Sequence, residues 1–473
     1  MEEGSEGGPI RRAMKEETIK GKKILVVGLG KSGMAACRVL SQCGARVYAQ
    51  DAASRRDTGA DKLRFLQEHG ITAYLGRDPE DIGSFDMVVL SPAVPPNLPF
   101  VEQAREAGAE ITGELELAYR LCPGRFVAIT GTNGKTTTTS LVGEIYKQAG
   151  LKHFVVGNIG VAALDKALEA DEETTMVTEV SSFQLETIDR FQPEVSAILN
   201  ITPDHLNRHG TMEGYKAAKA RIFENQTEDQ YVIMNFDDKE SFALAKSAKA
   251  IIVPFSRKEH LMFGAFVKND RLVIRNHEEK LIDLCGVDEL KIPGTHNLEN
   301  ALAAAAICYF AGVAPQAIRA GLIAFPGVAH RIEDCGEIDG VRYFNDSKGT
   351  NPDAAIKAVE AMDGPVILIA GGYDKDAVFD QLVASFGGKV RKVILMGATA
   401  AKIKLTAERM GYTHTIIMKD MEDCVREAAR LAVPGDCVLL SPACASWDMY
   451  DNFEQRGDHF KDCVERLRTA WRK

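Results

Sequence analysis

The chain has 473 residues, of which 45% are hydrophobic and 26% charged, and its ten cysteines include no Cys-x-x-Cys pair. That length exceeds one core and predicts about three domains, while the cysteine spacing argues against a zinc ribbon or a disulfide framework and for free thiols in a reducing cytosol. A net charge of −10 argues against general affinity for nucleic acid, so an anionic substrate must be met by locally placed cations.

Residues 1–18 are polar with mixed charges, which suits neither a signal peptide nor an anchor and reads as a flexible leader. From Lys22 an apolar run enters Gly28-Leu29-Gly30-Lys31-Ser32-Gly33, followed by a helical pattern through Leu40. A second strand over 45–50 ends at Asp51, 18 residues past Gly33. This is a dinucleotide fingerprint in context: tight turn, close phosphate approach and an acid for ribose hydroxyls. Taken alone it suggests a dehydrogenase, although such turns also serve folds that bind one nucleotide or none. A further strand over 86–90 runs into Ser91-Pro92-Ala93-Val94.

After a linker at 121–124, Phe126-Val127-Ala128-Ile129 reads as a buried strand, and Gly131-Thr132-Asn133-Gly134-Lys135-Thr136-Thr137 follows it. Helical spacing is clear from Ser140. Strand, glycine turn and helix N-terminus form an anion site, with Lys135 for outer phosphates and the Thr136 hydroxyl for Mg²⁺. The loop is a shortened variant, because Ile129 stands where the usual pattern has its first glycine. It predicts nucleoside triphosphate binding.

Further strands are expected at 153–156, 175–180, 195–201 and 231–235, with a hairpin around Asn269-Asp270 and a buried alanine-rich helix in 301–314. The pattern restarts near residue 327, with strands at 341–345, 366–370, 392–396 and 437–440. Alternating strands and helices predict an α/β protein of three domains, at 19–121, 122–327 and 328–473: Rossmann-like, phosphate-loop and Rossmann-like, each with a mainly parallel sheet. Glu179 at a strand end is placed to hold Mg²⁺ or to cap a helix. His205 lies in a loop with Asp204, Arg208 and His209. Lys219, on a helix over 215–223, reads from its chemistry as a solvated lysine, since an ammonium cannot ligate Mg²⁺. Asn297 and Asn300 suit helix capping or a base edge, Arg331 a triphosphate, and Asp346 ribose hydroxyls. Lys348 and Lys375 suit a carboxylate-rich substrate. The loop from Ser446 to Gly457 could line a small-molecule pocket, and Cys444 reads as a packed thiol.

Taken in order, the loop at 131–137, Glu179-Val180-Ser181-Ser182, Asp204-His205, Tyr215-x-x-x-Lys219, His296-Asn297, His330-Arg331 and Asn345-Asp346-Ser347-Lys348 resemble the Mur ligases. These are ATP-dependent enzymes that add amino acids to the peptide stem of the bacterial cell-wall precursor. The closing Ser-Pro-Ala-Cys-Ala-Ser and Asn-Phe-Glu-Gln-Arg-Gly blocks are similar to those of the branch that adds D-glutamate, and the resemblance spans about 20–465. It implies that the first domain takes the UDP of UDP-N-acetylmuramoyl-L-alanine, not NAD, through Lys31, Ser32, Asp51 and Ser91, with Asn158 and His205 at the muramoyl end. It implies ATP on Gly131, Thr132, Asn133, Gly134, Lys135, Thr136 and Thr137, with Asn297 and Asn300 facing adenine and Arg331 and Asp346 reaching the phosphates and ribose. Two Mg²⁺ ions are implied, held by Thr136, Glu179, His205 and Lys219, the last as a carbamate. D-glutamate would lie on Lys348, Thr350, Lys375, Ser446 and Phe453, and Lys135, His205, Lys219 and Lys348 would be the catalytic set. The resemblance further implies a cytoplasmic monomer with small-molecule substrates and neither nucleic acid nor membrane as partner. Ala93, where the family often has Gly, and Lys31, where an apolar residue is common, depart on the uridine side.

Overall fold

The computed structural model describes residues 18–471, so the expected leader, apart from Thr18, lies outside the described residues. Three α/β sheets carry the chain. The first has the order β3-β2-β1-β4-β5, all parallel, from β1 (Lys23–Val27), β2 (Arg46–Asp51), β3 (Thr72–Leu75), β4 (Met87–Leu90) and β5 (Glu110–Gly113). Its central strands are apolar on both faces, as helix-covered parallel strands must be. Ile24 through Val27 and Met87 through Leu90 are buried throughout.

The second sheet has the order β14-β13-β12-β11-β10-β9-β6-β8-β7. Its strands are β6 (Arg125–Thr130), β7 (His153–Gly157), β8 (Thr175–Glu179), β9 (Val195–Ile198), β10 (Tyr231–Asn235), β11 (Ile251–Ser256), β12 (Gly264–Lys268), β13 (Arg271–Arg275) and β14 (Leu281–Gly286). Pairing is parallel from β7 to β12 and antiparallel across β12, β13 and β14. The expected hairpin is present: Asn269 and Asp270 have φ of 50° and 57°, as a two-residue primed turn requires. The helix Thr295–Phe310 buries every residue from Ala301 to Cys308, the environment expected of its alanine run. Helix Pro315–Ala324 lies close against helix Lys135–Gln148; a Cβ on Gly321 would come within 2.6 Å of the Ile145 Cα.

The third sheet has the order β15-β16-β20-β17-β18-β19, antiparallel only between β15 and β16. Its strands are β15 (Glu333–Ile338), β16 (Val341–Asn345), β17 (Val366–Ala370), β18 (Val390–Leu395), β19 (Thr415–Ile417) and β20 (Cys437–Leu440).

Several boundaries differ from expectation. The phosphate-loop helix starts at Lys135 rather than 140, because four threonines occupy its first turns and mask the periodicity. The segment read as one helix over 215–223 is a helix Met212–Ala220 followed by a 3₁₀ turn at Arg221–Phe223. Strands β3, β5, β11, β14, β15 and β19 had no clear sequence signal. The three sheets fall into two compact units: one runs from the first described residues through Val287 with Asn300–Ala324, and the other comprises Asp288–Glu299 and the chain from Phe325. The first and second sheets thus share a unit, sealed partly by Glu116. This fully buried carboxylate accepts the N–H groups of Asp189, Arg190 and Phe191, each at 3.0 Å, and the Arg120 Nε at 2.6 Å. All ten cysteines are unpaired, in line with the free-thiol expectation.

Candidate active site

In the first unit, β6 ends at Thr130 and the chain turns through Gly131 to Gly134 into helix Lys135–Gln148. Gly134 caps that helix with φ of 83°, and a Cβ there would meet the Asn300 Oδ1 at 2.3 Å, so glycine is required both by conformation and by space. Asn200 braces the loop from the end of β9. Its Oδ1 accepts the Asn133 N–H at 2.9 Å, its Nδ2 donates to the Asn133 carbonyl at 3.0 Å, and its own carbonyl accepts the Thr132 N–H at 3.0 Å. The Thr132 hydroxyl donates to the Thr202 carbonyl at 3.1 Å, accepts the Thr202 N–H at 3.0 Å, and lies 3.2 Å from the Tyr215 hydroxyl. The amide nest is thereby fixed before any anion arrives. Lys135 folds its ammonium back onto the Gly131 and Thr132 carbonyls, at 2.9 and 2.8 Å. The Thr136 side chain is buried, and the buried Thr137 Oγ1 has no hydrogen-bond partner.

The expectation of a solvated Lys219 is overturned. It is 1% exposed, donates to the Gly131 carbonyl at 2.8 Å and to the Thr130 Oγ1 at 3.4 Å, and lies 4.6 Å above the Tyr215 ring. Burial, reinforced by the nearby Lys135 charge, pulls its pKa well below the usual lysine value, with Asp204 and Glu179 opposing. A buried amine held this way is neutral far more often than a surface lysine.

Glu179 ends β8 next to the loop and is 1% exposed. Its Oε1 accepts the Asn158 Nδ2 at 2.8 Å, while its buried Oε2 has no partner. His205 sits in a left-handed conformation, φ 52°, half-exposed beside Asp204, with its ring 4.9 Å from Phe183. No group of three or more His, Cys, Asp or Glu side chains placed to hold a metal occurs among the described residues. A divalent ion here therefore needs phosphate oxygens, the Thr136 hydroxyl or a chemically altered Lys219 beside Glu179. The orphaned Glu179 Oε2 is the oxygen such an ion would satisfy, so the residues fit.

At the first sheet, the glycine turn is tightly built: a Cβ on Gly33 would stand 1.8 Å from the Gly28 carbonyl. Asp51 does not present a free carboxylate, because its Oδ2 accepts the Leu29 N–H at 2.6 Å and its Oδ1 the Ala53 N–H at 2.8 Å. The Ser91 hydroxyl likewise donates to the Gly28 carbonyl at 2.7 Å. Both residues shape the turn that Lys31 and Ser32 open onto at the start of helix Lys31–Gln42.

In the second unit, the Asn297 Nδ2 donates to the Pro293 carbonyl at 2.7 Å. Asn300, which belongs to the first unit, accepts the Thr138 hydroxyl at 3.3 Å and backs the phosphate loop. Asp346 is buried and accepts the Ser441 hydroxyl at 2.7 Å; burial pushes its carboxyl up to about 6 against that bond and the Arg331 charge. The buried Arg331 Nε has no partner. Two lysines each lie over an aromatic ring: Lys348 is 5.3 Å from the Phe453 centroid and Lys375 is 4.6 Å from that of Trp447. Thr350 donates its N–H to the Lys348 carbonyl at 2.9 Å, and Ser446 is buried where the Met449 and Tyr450 N–H groups close on its carbonyl. Arg456, 1% exposed, braces this loop through the Ser347, Cys444 and Ala445 carbonyls. Cys444 is packed as expected, its thiol pushed up to about 11 by burial.

The fold thus brings Lys135, Thr136, Glu179, Asn158, His205 and Lys219 to one edge of the second sheet. It places Arg331, Asp346, Lys348, Thr350, Lys375, Ser446 and Phe453 on the second unit. Asn200 and Tyr215 had no assigned role in the sequence: Asn200 ends an apolar run, and Tyr215, which stands in the block with Lys219, precedes it by one helical turn.

Three family profiles match the chain: "Mur ligase MurD-like, N-terminal domain" over 22–113, "Mur ligase middle domain" over 129–308 and "Mur ligase, glutamate ligase domain" over 330–444. The UDP-N-acetylmuramoylalanine–D-glutamate ligase of Alkaliphilus metalliredigens is 50% identical over 455 residues, covering 96% of this chain and all of the relative. That of Clostridioides difficile is 46% identical over 95% of this chain and all of its own length. Among solved structures, the UDP-N-acetylmuramate-alanine ligase of Thermotoga maritima matches with a TM-score of 0.59 at 19% identity, over 95% of this chain and all of that one. The MurF ligase of the same organism, solved with ADP, matches with a TM-score of 0.57 at 17% identity, over 97% and 99%. At such identities the structural likeness speaks for the three-domain fold.

Proposed function

The chain belongs to the Mur ligase family, and on that footing we propose that it joins D-glutamate to UDP-N-acetylmuramoyl-L-alanine at the expense of ATP, in the synthesis of the peptidoglycan precursor. The observation that carries the reading is the pairing of a braced phosphate loop with a buried, neutral-leaning Lys219 and an orphaned Glu179 oxygen on the same sheet edge.

A carboxylate is a poor acyl donor at neutral pH, so the reading has the alanine carboxylate oxygen attack the ATP γ-phosphorus, forming an acyl phosphate and releasing ADP. Lys135 leaves its two carbonyl partners for the transferred phosphoryl, and the loop N–H groups hold the adjoining phosphates. The D-glutamate amine then attacks the acyl carbon. The tetrahedral intermediate loses a proton and collapses with departure of phosphate, leaving an amide.

With its pKa pulled down by burial, Lys219 is suited to lose a proton and add as the free amine to CO₂, forming an N–C bond and losing a second proton, which turns a cation into an oxygen donor. Thr136, Glu179, His205 and the Lys219 carbamate would hold two Mg²⁺ ions, whose chemistry is to offset the charge of the phosphates and the acyl phosphate. The two lysines of the second unit offer ammonium groups for the two carboxylates of the amino acid, with Lys348 steadied by Phe453 and Lys375 by Trp447. Asn158 and His205 suit the muramoyl end, while Asn297, Asn300, Arg331 and Asp346 suit the nucleotide. Asp51 and Ser91 act on the uridine side by shaping the turn.

The test is isotopic. With the alanine carboxylate of the precursor labelled with ¹⁸O, one labelled oxygen must appear in the released phosphate. Turnover with unlabelled phosphate would rule out the acyl phosphate route.

A further inference from the structure

Arg208 has no part in the chemistry above, yet near His205 it ties the second domain's Glu186 to the loop that follows β4 of the first sheet. Its Nε and Nη2 grip Glu186 in a fork, at 3.2 and 2.6 Å to Oε2, and each of the two side chains is only 16% exposed. The same guanidinium donates to the Val94 carbonyl at 3.0 Å and to the Ala93 carbonyl at 3.4 Å, both in the loop that follows β4. It also lies 5.3 Å from the Phe183 ring centroid, and Phe183 packs on His205 at 4.9 Å and on His209 at 5.5 Å. On the far side of that loop, a Cβ placed on Gly28 would touch both Ser91 and Val94 at 3.0 Å. A continuous run of packed and hydrogen-bonded groups therefore joins the glycine turn of the first sheet to His205: Gly28, Val94, Arg208, Phe183, His205.

An exposed pair of opposite charges would be worth little. This one is different, since both side chains of the fork are mostly buried and the guanidinium also donates to main-chain carbonyls of the loop that follows β4 in the first sheet. We propose that Arg208 is a positioning residue that keeps loop 91–96 in register with His205, and so sets the span between the uridine end and the acyl end of one bound precursor. The inference rests on the functional reading above. It assigns to Arg208 recognition of the precursor as a whole, acting through Val94 and Phe183 rather than by touching the ligand.

Arg208→Met and Arg208→Lys test this by calorimetry with UDP alone and with UDP-N-acetylmuramoyl-L-alanine, and by KM measurements for all three substrates. The methionine variant is expected to hold UDP within about twofold of the parent while losing about tenfold to thirtyfold in affinity for the whole precursor, the range set by losing charge-assisted bonds. Its KM for ATP and for D-glutamate should not move. Lysine should rescue part of the loss, because an ammonium keeps Glu186 but lacks the fork that reaches both partners. Equal losses for UDP and for the precursor would reduce Arg208 to a general structural strut and overturn the proposal, as would no loss for either. If the parent protein binds UDP and neither binds nor turns over the precursor, the functional reading fails first and the proposal falls with it.

Discussion

Glu114, at the start of helix Glu114–Leu121, is a fully buried carboxyl in the first unit. Its Oε1 accepts the Leu164 N–H at 2.6 Å, and its Oε2 is buried without a partner. Burial pushes its pKa up to about 7 from an ordinary 4.5; Asp165 adds to the rise, and the Leu164 and Ala163 N–H groups and Lys31 oppose it. The unfolded chain releases this proton near 4.5 and the folded chain near 7, so between those values the folded protein binds more protons. Its stability must then fall as pH rises across that window and level off above it. At 1.36 kcal/mol per pH unit, the full penalty is about 3 kcal/mol, of which about 2 kcal/mol develops between about pH 5.5 and 8. Glu114→Gln keeps an acceptor for the Leu164 N–H and removes the charge. Urea denaturation of both proteins in parallel, followed by far-ultraviolet circular dichroism, should show the variant gaining about 2 kcal/mol on the parent over that pH range. Stability curves that stay parallel from pH 5.5 to 8 would refute the reasoning.

Other outcomes follow from the phosphate-loop edge. Gly134→Ala puts a Cβ at φ 83° and within 2.3 Å of the Asn300 Oδ1, which costs about 1–2 kcal/mol from backbone conformation alone. ATP affinity by calorimetry should drop about tenfold or more as the loop shifts, and unchanged affinity would contradict the geometry. Incubation with ¹³C-bicarbonate should give one carbamate carbon resonance that Lys219→Ala abolishes, and a resonance that survives the substitution would place the modification elsewhere.

Much of this was legible in the sequence for physical reasons. Strands β10, β16, β17 and β20 begin and end where their apolar runs do, because each is buried on both faces and bounded by turn residues. The phosphate loop was legible because its chemistry resides in main-chain N–H groups that only a glycine-bearing turn exposes. The missed strands are of another kind. β3, β5, β15 and β19 are short, partly polar, or at an edge, so pairing rather than composition makes them strands. β11 contains Pro254, which ordinarily argues against a strand; here β12 pairs only from Phe255 onward, and no ladder bond to β12 is lost at the proline.

The site divides the same way. Lys219 reads as a surface lysine from helical spacing, and only the packing of Tyr215 and the Gly131 carbonyl reveals the buried amine. Asp51 reads as a ribose acid by its distance from the glycines, and the fold adds a second task that spacing does not show, since each of its oxygens accepts one N–H of the turn. Asn200 escapes notice, and Arg208 is seen only as one more charge beside His205, because their partners lie far away in sequence: main-chain groups of the phosphate loop for Asn200, and Glu186 with the Ala93 and Val94 carbonyls for Arg208.

The central claim is that this chain is a working D-glutamate-adding ligase. Its most direct test is phosphate release from ATP and Mg²⁺ with UDP-N-acetylmuramoyl-L-alanine, comparing D-glutamate with L-glutamate, L-alanine and meso-diaminopimelate. The account predicts turnover with D-glutamate alone, dependent on the precursor and abolished by Lys135→Ala. Turnover with a different amino acid, or phosphate release indifferent to all four, would contradict it.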